Sequence, residues 1–213
     1  MTSPPDRGIT VVVLAGGAAS RLGRDKALEP VGGRPMLVRV VEALHGIATD
    51  VVVVGDRSGR EGLQLPGDVR WTVDRYPDQR GPLAGLHAGA AEAKHEVLLA
   101  VGCDMPFINP IVFTALVHAL ESGPQEAVVP KVEGRPQPLH AVYQRGPVIE
   151  RAARLLDEPD GRPGIQDLIR LLRVCYLGEE ELTVFDPNFR SFKSVDTQDD
   201  LDRIRALTGE SPG

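Results

Sequence analysis

Cysteine is scarce in this sequence: the 213 residues contain two, Cys103 and Cys175, which lie far apart. They form no C-x-x-C pair, so the sequence favours neither a disulfide framework nor a structural zinc site. A chain of this length can bury a sizeable hydrophobic core without such crosslinks. We therefore expect a cytoplasmic protein that is stabilised by its core.

Long apolar runs and an excess of positive charge are also missing. The longest apolar runs have the length of strands, which predicts no membrane span. Residues 1–8 are polar and lack the apolar centre of a signal peptide. The formal net charge of -6 at pH 7 disfavours nonspecific binding to nucleic acid or to an acidic membrane. A polyanionic ligand must therefore meet a local positive site.

Short, continuously apolar runs alternate with helix-like segments in the first half of the chain. The runs at 9–14, 51–54 and 96–101 are typical of strands that are buried on both faces of a parallel sheet. Three segments begin with proline and space their apolar residues as a helix does: 35–44, 82–93 and 110–120. This alternation predicts right-handed βαβ units and an α/β fold with a doubly wound, mostly parallel sheet.

The second half of the chain is more irregular. Strands are predicted at 127–131 and 138–143, joined by a turn at Glu133 and Gly134. The remaining predicted elements are helices at 151–156 and 165–172, a strand at 189–195 and a last helix at 198–207.

These patterns predict a single domain at 9–208. Its first half covers 9–122, and a small, irregular β/α half covers 123–208. The flanking segments 1–8 and 209–213 are predicted to be flexible tails.

The first predicted strand runs into a glycine-containing loop that carries two cations. Gly16 and Gly17 let the backbone approach a ligand closely and point successive N–H groups at an anion. Arg21 and Lys26 can neutralise a triphosphate there. Neither the G-x-G-x-x-G nor the G-x-x-x-x-G-K-[ST] pattern is present, which disfavours a nicotinamide-dependent reductase and a P-loop ATPase. From the glycines alone, a tight turn with surface cations is an equal alternative.

A carboxylate follows the third apolar run. Because the carboxyl ends of parallel strands meet at one edge of the sheet, Asp104 is expected to face the same crevice as the first loop. An aspartate there can hold Mg²⁺, which takes one or two carboxylates together with phosphate oxygens and water. By position alone, an Asx-turn or a helix cap is the commoner role.

The first loop resembles the opening signature of the molybdenum cofactor guanylyltransferases, within the wider nucleotidyltransferase family of this fold. The matching pattern L-A-G-G-x-x-x-R-L-G-x-D-K-A-L begins at Leu14, and Ala19 stands where the family usually has serine. The resemblance implies a Rossmann-like nucleotidyltransferase fold in which 9–122 is the nucleotide-binding half and 123–208 the acceptor-binding half. It also implies that the triphosphate is held by the loop backbone, the arginine and the lysine, which are here Leu14, Ala15, Gly16, Gly17, Arg21 and Lys26.

The same resemblance assigns roles to three aspartates. The segment D-M-P-F at Asp104 is similar to the family's metal motif, which implies that Asp104 is a metal ligand and contacts the nucleotide. Asp74, which precedes the family-like segment G-P-L-A-G, is implied to lie against the nucleotide. Asp56 stands where the family typically has asparagine. Asp56 either contributes to base recognition or belongs to a turn. A carboxylate can accept hydrogen bonds from guanine N–H groups, but, unlike asparagine, it cannot donate one to the guanine carbonyl.

Three later residues extend the resemblance. Asp196 replaces a family asparagine in the segment F-K-S-V-D-T-Q-D-D-L. It is a candidate for a second Mg²⁺ ligand. Alternatively, Asp196 or Thr197 caps the last helix, and the two roles are compatible. The segment G-R-P-Q-P-L is similar to the family's acceptor side, which implies that Arg135 and Gln137 touch the pterin or its phosphate. A solvated turn is the alternative for this segment.

The resemblance implies transfer of GMP from GTP to the terminal phosphate of molybdopterin, with release of pyrophosphate. Arg21, Lys26 and Asp104 are the expected catalytic residues, with Mg²⁺ or Mn²⁺ as the cofactor. The expected partners are GTP, molybdopterin, and molybdenum-insertion or acceptor molybdoenzyme proteins. Binding to nucleic acid or to a membrane is not expected.

Several alternatives stay open at this point: a CTP-dependent molybdopterin cytidylyltransferase, a sugar-phosphate nucleotidyltransferase and a noncatalytic nucleotide-binding module. Paired glycines at Gly16 and Gly17 favour guanine, since the cytidylyl branch usually has Ala-Gly there.

Overall fold

The computed structural model describes residues 8–16, 22–74, 76, 81–158 and 161–209. The strands within these residues are β1 (Ile9–Leu14), β2 (Pro30–Val31), β3 (Arg34–Pro35), β4 (Asp50–Val54), β5 (Val69–Thr72), β6 (Val97–Gly102), β7 (Ala127–Val132), β8 (Arg135–Pro136), β9 (His140–Gln144) and β10 (Val174–Leu177). The helices are α1 (Met36–Leu44), α2 (Gly81–Glu92), α3 (Pro110–Glu121), α4 (Arg145–Leu156), α5 (Ile165–Leu171), α6 (Glu179–Leu182) and α7 (Gln198–Ala206), with 3₁₀ turns at Lys26–Leu28 and Arg190–Phe192.

The main sheet has the strand order β10-β7-β9-β6-β1-β4-β5, and β8 pairs with β7. Its neighbouring strands are parallel except at β9, which runs antiparallel to both β6 and β7, and at β8, which runs antiparallel to β7. Consequently β1, β4, β5, β6 and β7 all end at one edge, here called the carboxyl edge. The predicted α/β fold with a mostly parallel sheet is confirmed.

Both faces of the sheet are covered, as a doubly wound fold requires. One face packs on α1 and α3 and the other on α2, α4 and α5. Side chains of β1 alternate between these two cores: Val11 and Val13 join the first, and Val12 joins the second. This double burial explains why the strands are continuously apolar in the sequence. Among the described residues, no helix is both long and apolar enough to cross a membrane.

Helix α2 packs unusually close to β1 because two of its glycines face that strand. A Cβ atom on Gly89 would lie 2.2 Å from Val12 Cγ1, and one on Gly85 would lie 3.0 Å from Leu14 Cδ2. Real Cβ atoms do not approach as closely as the first of these distances. Gly89 therefore sets the spacing between α2 and the sheet below the end of β1.

The predicted strand at 189–195 is wrong. Phe189 has a φ of 49°, and the chain then forms the 3₁₀ turn Arg190–Phe192. The buried Asp186 carboxylate accepts hydrogen bonds from the backbone N–H groups of Arg190 and Ser191, which supports a turn rather than a strand. The ring of Phe192 packs against His140, with centroids 4.3 Å apart.

The predicted pair of strands at 127–131 and 138–143 is only partly correct. β7 and β9 do pair, but the turn at Glu133 and Gly134 leads into the short strand β8. Both turn residues have positive φ, 50° and 72°, which favours an immediate two-residue reversal onto β7. β9 therefore begins later, at His140, and β10 is an additional strand that the sequence patterns missed.

Neither the predicted division into halves at 9–122 and 123–208 nor the domain boundaries are tested by these observations, and they stay predictions. Of the predicted tails at 1–8 and 209–213, residues 1–7 and 210–213 lie outside the described residues.

Candidate nucleotide and metal site

The predicted site residues gather at the carboxyl edge of the sheet. Ala15 follows β1, Asp56 follows β4, Asp74 follows β5 and Asp104 follows β6. These four parallel strands are neighbours, so one edge presents all four segments. This placement is the crevice in which open α/β sheets bind ligands.

The backbone beside β1 holds the start of the first loop in place. Leu14 and Ala15 extend the strand pairing, since Ala15 N–H donates to Val54 O at 2.8 Å and Cys103 N–H donates to Leu14 O at 3.0 Å. A Cβ atom on Gly55, which has a φ of 155°, would lie 2.8 Å from Ala15 O. Gly16 is exposed directly beyond this crossing. Gly17 and Arg21 lie outside the described residues.

Lys26 joins two carboxylates that are distant in sequence. Its Nζ lies 2.6 Å from Asp196 Oδ1 and 3.4 Å from Asp104 Oδ2. The three side chains therefore form one charged cluster, here called the Lys26 cluster, at the end of β6. It brings together the predicted phosphate-binding lysine and both predicted metal ligands.

Local structure positions each member of the Lys26 cluster. Lys26 is the first residue of a 3₁₀ turn that Asp25 caps, with Asp25 Oδ1 accepting from Ala27 N–H at 3.0 Å. Asp104 follows the buried strand β6, and its carbonyl accepts from Val195 N–H at 2.9 Å. That hydrogen bond places Asp196, the next residue, opposite Lys26.

Capping of the last helix is separate from the Asp196 side chain. Thr197 is the N-cap of α7, and its hydroxyl accepts from Asp200 N–H at 3.2 Å. The Asp200 carboxylate in turn accepts from the backbone N–H of Thr197 at 2.9 Å, which forms a capping box. The Asp196 carboxylate points instead to the Lys26 ammonium. The Asp196 oxygens therefore face the Lys26 ammonium, and the role of Asp196 as a metal ligand stays a prediction.

The charges of the Lys26 cluster influence one another. Burial would lower the pKa of Lys26, but the hydrogen bond to Asp196 and the charge of Asp104 outweigh it, so that this pKa is raised. The ammonium group is therefore charged at neutral pH. Burial raises the pKa of Asp104, and the charge of Lys26 offsets part of that increase. A buried carboxylate held by one lysine gains from a second cation.

The donor set of the Lys26 cluster suits a hard divalent cation. Two carboxylates, Asp104 and Asp196, are held by the same ammonium group. Within the described ranges, no group of three or more histidine, cysteine, aspartate or glutamate side chains could form a metal cage. Mg²⁺ is commonly bound by one or two carboxylates together with substrate phosphates rather than by a protein cage. The residues therefore fit Mg²⁺ better than Zn²⁺, which is usually held by cysteine and histidine side chains.

Asp56 and Asp74 lie along the same edge on the side of β4 and β5. Asp56 is exposed, and its Oδ1 accepts from Ser58 N–H at 2.9 Å. This hydrogen bond lowers the pKa of Asp56, so the turn that the sequence offered as an alternative is present. Asp74 is half-buried two residues after the end of β5.

Arg135 and Gln137 lie beyond β9 from the Lys26 cluster, at the end of β7. Arg135 is exposed on β8, and Gln137 Nε2 donates to the Arg135 carbonyl at 3.3 Å. The Gln137 backbone N–H donates to Pro130 O at 2.8 Å. Because β7 ends at the carboxyl edge, both residues lie at the same edge of the sheet as the Lys26 cluster.

Cys103 is buried next to Asp104 but has no nucleophilic character. Burial, followed by the charge of Asp104, raises the pKa of its thiol to about 12. The thiol is therefore protonated at neutral pH, and the reactive form of a cysteine is the thiolate.

One residue at this edge was missed by the sequence analysis. Arg60, in the segment after β4, makes two hydrogen bonds to Asp25: Nε to Oδ2 at 2.6 Å and Nη2 to Oδ1 at 2.8 Å. In sequence it is an arginine in a polar, glycine-containing stretch, which is typical of a solvated loop. No motif signal distinguishes it.

The sequence of this chain matches a known family. Residues 11–174 match the MobA-like NTP transferase domain. A protein of Natronomonas pharaonis named "Probable molybdenum cofactor guanylyltransferase" is 36% identical over 200 residues, which cover 92% of this chain and 96% of that protein. The molybdenum cofactor guanylyltransferase of Desulfosudis oleivorans is 32% identical over 201 residues, covering 93% of this chain and 95% of that protein.

A solved structure agrees with these sequence relatives. The crystal structure of molybdopterin-guanine dinucleotide biosynthesis protein A from Archaeoglobus fulgidus superposes with a TM-score of 0.78 at 27% identity, and covers 94% of this chain and 98% of that chain. The family that the opening loop predicts is thereby confirmed: this chain belongs to the MobA-like NTP transferase family.

Proposed function

We propose that this chain transfers GMP from GTP to the terminal phosphate of molybdopterin, forming molybdopterin guanine dinucleotide and pyrophosphate. The main observation behind this proposal is the Lys26 cluster at the carboxyl edge of the sheet. In this cluster one ammonium lies 2.6 Å from Asp196 and 3.4 Å from Asp104. Relatives that span nearly the whole chain and are named for this activity support the proposal.

The nucleophile needs no protein base. A phosphate monoester has its second pKa near 6, so the acceptor phosphate is largely dianionic at neutral pH. One of its oxygens forms a bond to the α-phosphorus of GTP while the bond from that phosphorus to the bridging oxygen of pyrophosphate breaks. The electron pair of the broken bond leaves on pyrophosphate. The protein therefore has to position two anions and neutralise charge.

The chain's own residues divide this work. The Leu14–Gly17 backbone would approach the triphosphate, with Arg21 as a guanidinium fork and Lys26 as a compact positive charge at the departing pyrophosphate. Asp104 and Asp196 would hold Mg²⁺, with Mn²⁺ as the other candidate. Bound there, Mg²⁺ supplies Lewis-acid neutralisation of the phosphate oxygens. Asp56 and Asp74 would contact the nucleotide along β4 and β5.

The acceptor would lie toward the end of β7. Arg135 presents an exposed guanidinium there, and Gln137 presents an amide from the turn that follows β8. A cation and an amide on the substrate side of the sheet suit a pterin that bears a phosphate. The molybdenum-insertion or acceptor molybdoenzyme proteins would meet this chain after transfer.

Calorimetric titration tests the nucleotide part of the proposal. Purified protein with Mg²⁺ is titrated with GTP, CTP, ATP and NADH, and Lys26→Ala is titrated with the preferred nucleotide. Selective binding of GTP that is weakened by Lys26→Ala supports guanylyl transfer. Preference for CTP would assign the cytidylyl reaction instead, and binding of NADH without any triphosphate would overturn the proposal.

A further inference from the structure

The Arg60 side chain is nearly buried where it contacts Asp25 in the first loop. Its side chain is 10% exposed, compared with 32% for its partner Asp25. The two parallel hydrogen bonds of 2.6 and 2.8 Å form a guanidinium–carboxylate fork, the geometry in which such pairs are strongest. A surface ion pair contributes little to stability, but this pair is mostly withdrawn from water and joins two loops.

The fork acts on the residue next to Lys26. Asp25 Oδ1 accepts simultaneously from Arg60 Nη2 and from Ala27 N–H. The second bond caps the 3₁₀ turn in which Lys26 is the first residue. Because a turn of three residues has few internal hydrogen bonds, its position depends on its cap. Arg60 therefore fixes the backbone from which the Lys26 ammonium extends.

The segment around Arg60 follows β4 directly and is held by its own turns. The Arg60 backbone N–H donates to Arg57 O at 2.9 Å, and Leu63 N–H donates to Arg60 O at 3.1 Å. A Cβ atom on Gly55 would lie 3.2 Å from Arg60 Nη1, so the guanidinium lies beside the crossing of Gly55 and Ala15. The same segment contains Asp56. Arg60 thus links the proposed base-binding segment to the proposed phosphate-binding lysine.

One nitrogen of the Arg60 guanidinium, Nη1, is buried and has no hydrogen-bond partner among the residues that the structure describes. An unpaired buried donor is costly, and this one lies at the ligand-binding edge. Retaining an arginine here therefore has a stability cost, which a role in the site would explain.

We infer that Arg60 is a positioning residue for nucleotidyl transfer: by holding Asp25 it sets Lys26 against the triphosphate and the Asp104–Asp196 pair. This inference rests on the proposed function and extends it to a residue outside the family-like motifs. It makes Arg60 and Asp25 one functional unit. Removing either should therefore have the same effect as removing both.

The test is a double-mutant cycle. Arg60→Ala, Asp25→Asn and the double variant are compared with wild type for kcat and KM of pyrophosphate release with GTP, Mg²⁺ and molybdopterin. GTP binding is measured calorimetrically on the same proteins. Asp25→Asn keeps an oxygen to cap Ala27 N–H but loses the second acceptor for the fork. The control is Arg34→Ala, which removes an exposed arginine from a 2.5 Å ion pair with Glu42.

The expected result is a kcat that falls by about 10- to 100-fold in each single variant, as small misplacement of a catalytic group does, and no further in the double variant. GTP affinity should fall in the same variants, and Arg34→Ala should match wild type. Arg60→Lys should fail to restore kcat, because an ammonium cannot form the fork. Thermal melting of all variants shows whether each one is folded. If Arg60→Ala is unfolded, the comparison is made with Asp25→Asn.

Three results would overturn the inference: unchanged kcat in Arg60→Ala, additive losses in the double variant, or full rescue by Arg60→Lys. The proposed function fails differently. If wild type binds GTP but does not turn over molybdopterin, guanylyl transfer to this acceptor is wrong, and the cycle is judged on GTP affinity alone. If wild type binds no GTP, the proposed function and this inference both fail.

Discussion

The Lys26 Nζ and the Asp196 Oδ1 lie 2.6 Å apart although 170 positions separate them in the chain. This contact joins the first loop to the residue that precedes α7. Lys26 Nζ also lies 3.4 Å from Asp104 Oδ2, so the same ammonium connects both of these segments to the end of β6. The site is therefore assembled from segments that only the complete fold brings together.

Asp196 provides a prediction about the metal. Asp196→Ala removes an oxygen ligand, so the Mg²⁺ concentration for half-maximal rate should rise by about 10-fold or more, since even outer-shell losses cost that much. Asp196→Asn keeps an oxygen and should have the smaller effect. Mg²⁺ titrations of the transfer rate measure both. An Ala variant with the metal dependence of wild type would exclude Asp196 as a ligand.

Gly89 provides a prediction about packing. A Cβ atom there would lie 2.2 Å from Val12 Cγ1 in the core, so Gly89→Ala should lower the free energy of unfolding by about 2 kcal/mol despite the better helix propensity of alanine. Gly46→Ala is the control, because a Cβ atom there meets nothing within 4 Å. Urea denaturation measures both variants. Equal stabilities would show that α2 can move away from β1 without cost.

His140 provides a prediction about mild acid. It is fully buried between Phe113 and Phe192. Burial lowers its pKa from 6.5 to about 3, opposed in part by a backbone contact with Ser191. The unfolded chain binds this proton near pH 6.5 and the native protein does not, so this group costs stability as the pH falls below 6.5, by about 1.4 kcal/mol per pH unit.

His140→Phe should remove that dependence between pH 6.5 and 5. Unfolding free energies at a series of pH values in that interval test this, with the exposed His118→Phe as the control. If the His140 variant kept the slope of wild type, the acid sensitivity would have to come from another group.

Glu126 provides a prediction for stronger acid. Hydrogen bonds from Arg151 lower the pKa of this buried carboxyl from 4.5 to about 2. A lowered pKa stabilises the fold above pH 4.5, and the contribution is lost as the pH falls toward 2. Arg151→Met should cost about 2 kcal/mol at pH 7, because it removes the charged hydrogen-bond donor closest to this buried carboxylate. Arg173, whose Nη2 lies 3.4 Å from Glu126 Oε1, remains as the second cation.

Arg154→Met is the matched control for Arg151→Met. Arg154 is 74% exposed in an i,i+4 pair with Glu150, so its loss should cost less than about 1 kcal/mol. Chemical denaturation at pH 7 and pH 3 separates the two. Similar losses in both variants would show that the Glu126–Arg151 pair is no more important than a surface pair.

Strands that are buried on both faces were predictable, because their apolar runs are short and bounded. The runs at 9–14 and 96–101 differ from β1 and β6 by no more than one residue at either end. The late strand failed for a tertiary reason. The segment from Phe189 has two phenylalanines and a valine, but Asp186 binds its backbone and Phe192 packs on His140. Neither interaction leaves a signal in local spacing.

The candidate site, like the fold, was only partly predictable from the sequence. Lys26, Asp104 and Asp196 were predicted one by one from motif resemblance, but nothing in the sequence predicted that one ammonium contacts both carboxylates. Arg60 was not predicted, since its importance depends on a fork to Asp25, 35 positions away. The roles of Arg21 and Gly17 stay predictions, because both residues lie outside the described ranges.

The most direct test of guanylyl transfer follows the label of [α-³²P]GTP into product. Wild type, Asp104→Asn and Asp104→Ala are incubated with Mg²⁺ and molybdopterin, and labelled dinucleotide and pyrophosphate are quantified, with circular dichroism to show that each protein is folded. We expect labelled molybdopterin guanine dinucleotide and unlabelled pyrophosphate in equal amounts from wild type. The rate should be lower by at least about 100-fold in both folded variants, as expected when an electrostatic group at the reacting phosphate is lost. Dinucleotide formed at the wild-type rate by Asp104→Ala would exclude Asp104 from the reaction, and no labelled dinucleotide from wild type that binds GTP would exclude guanylyl transfer to molybdopterin.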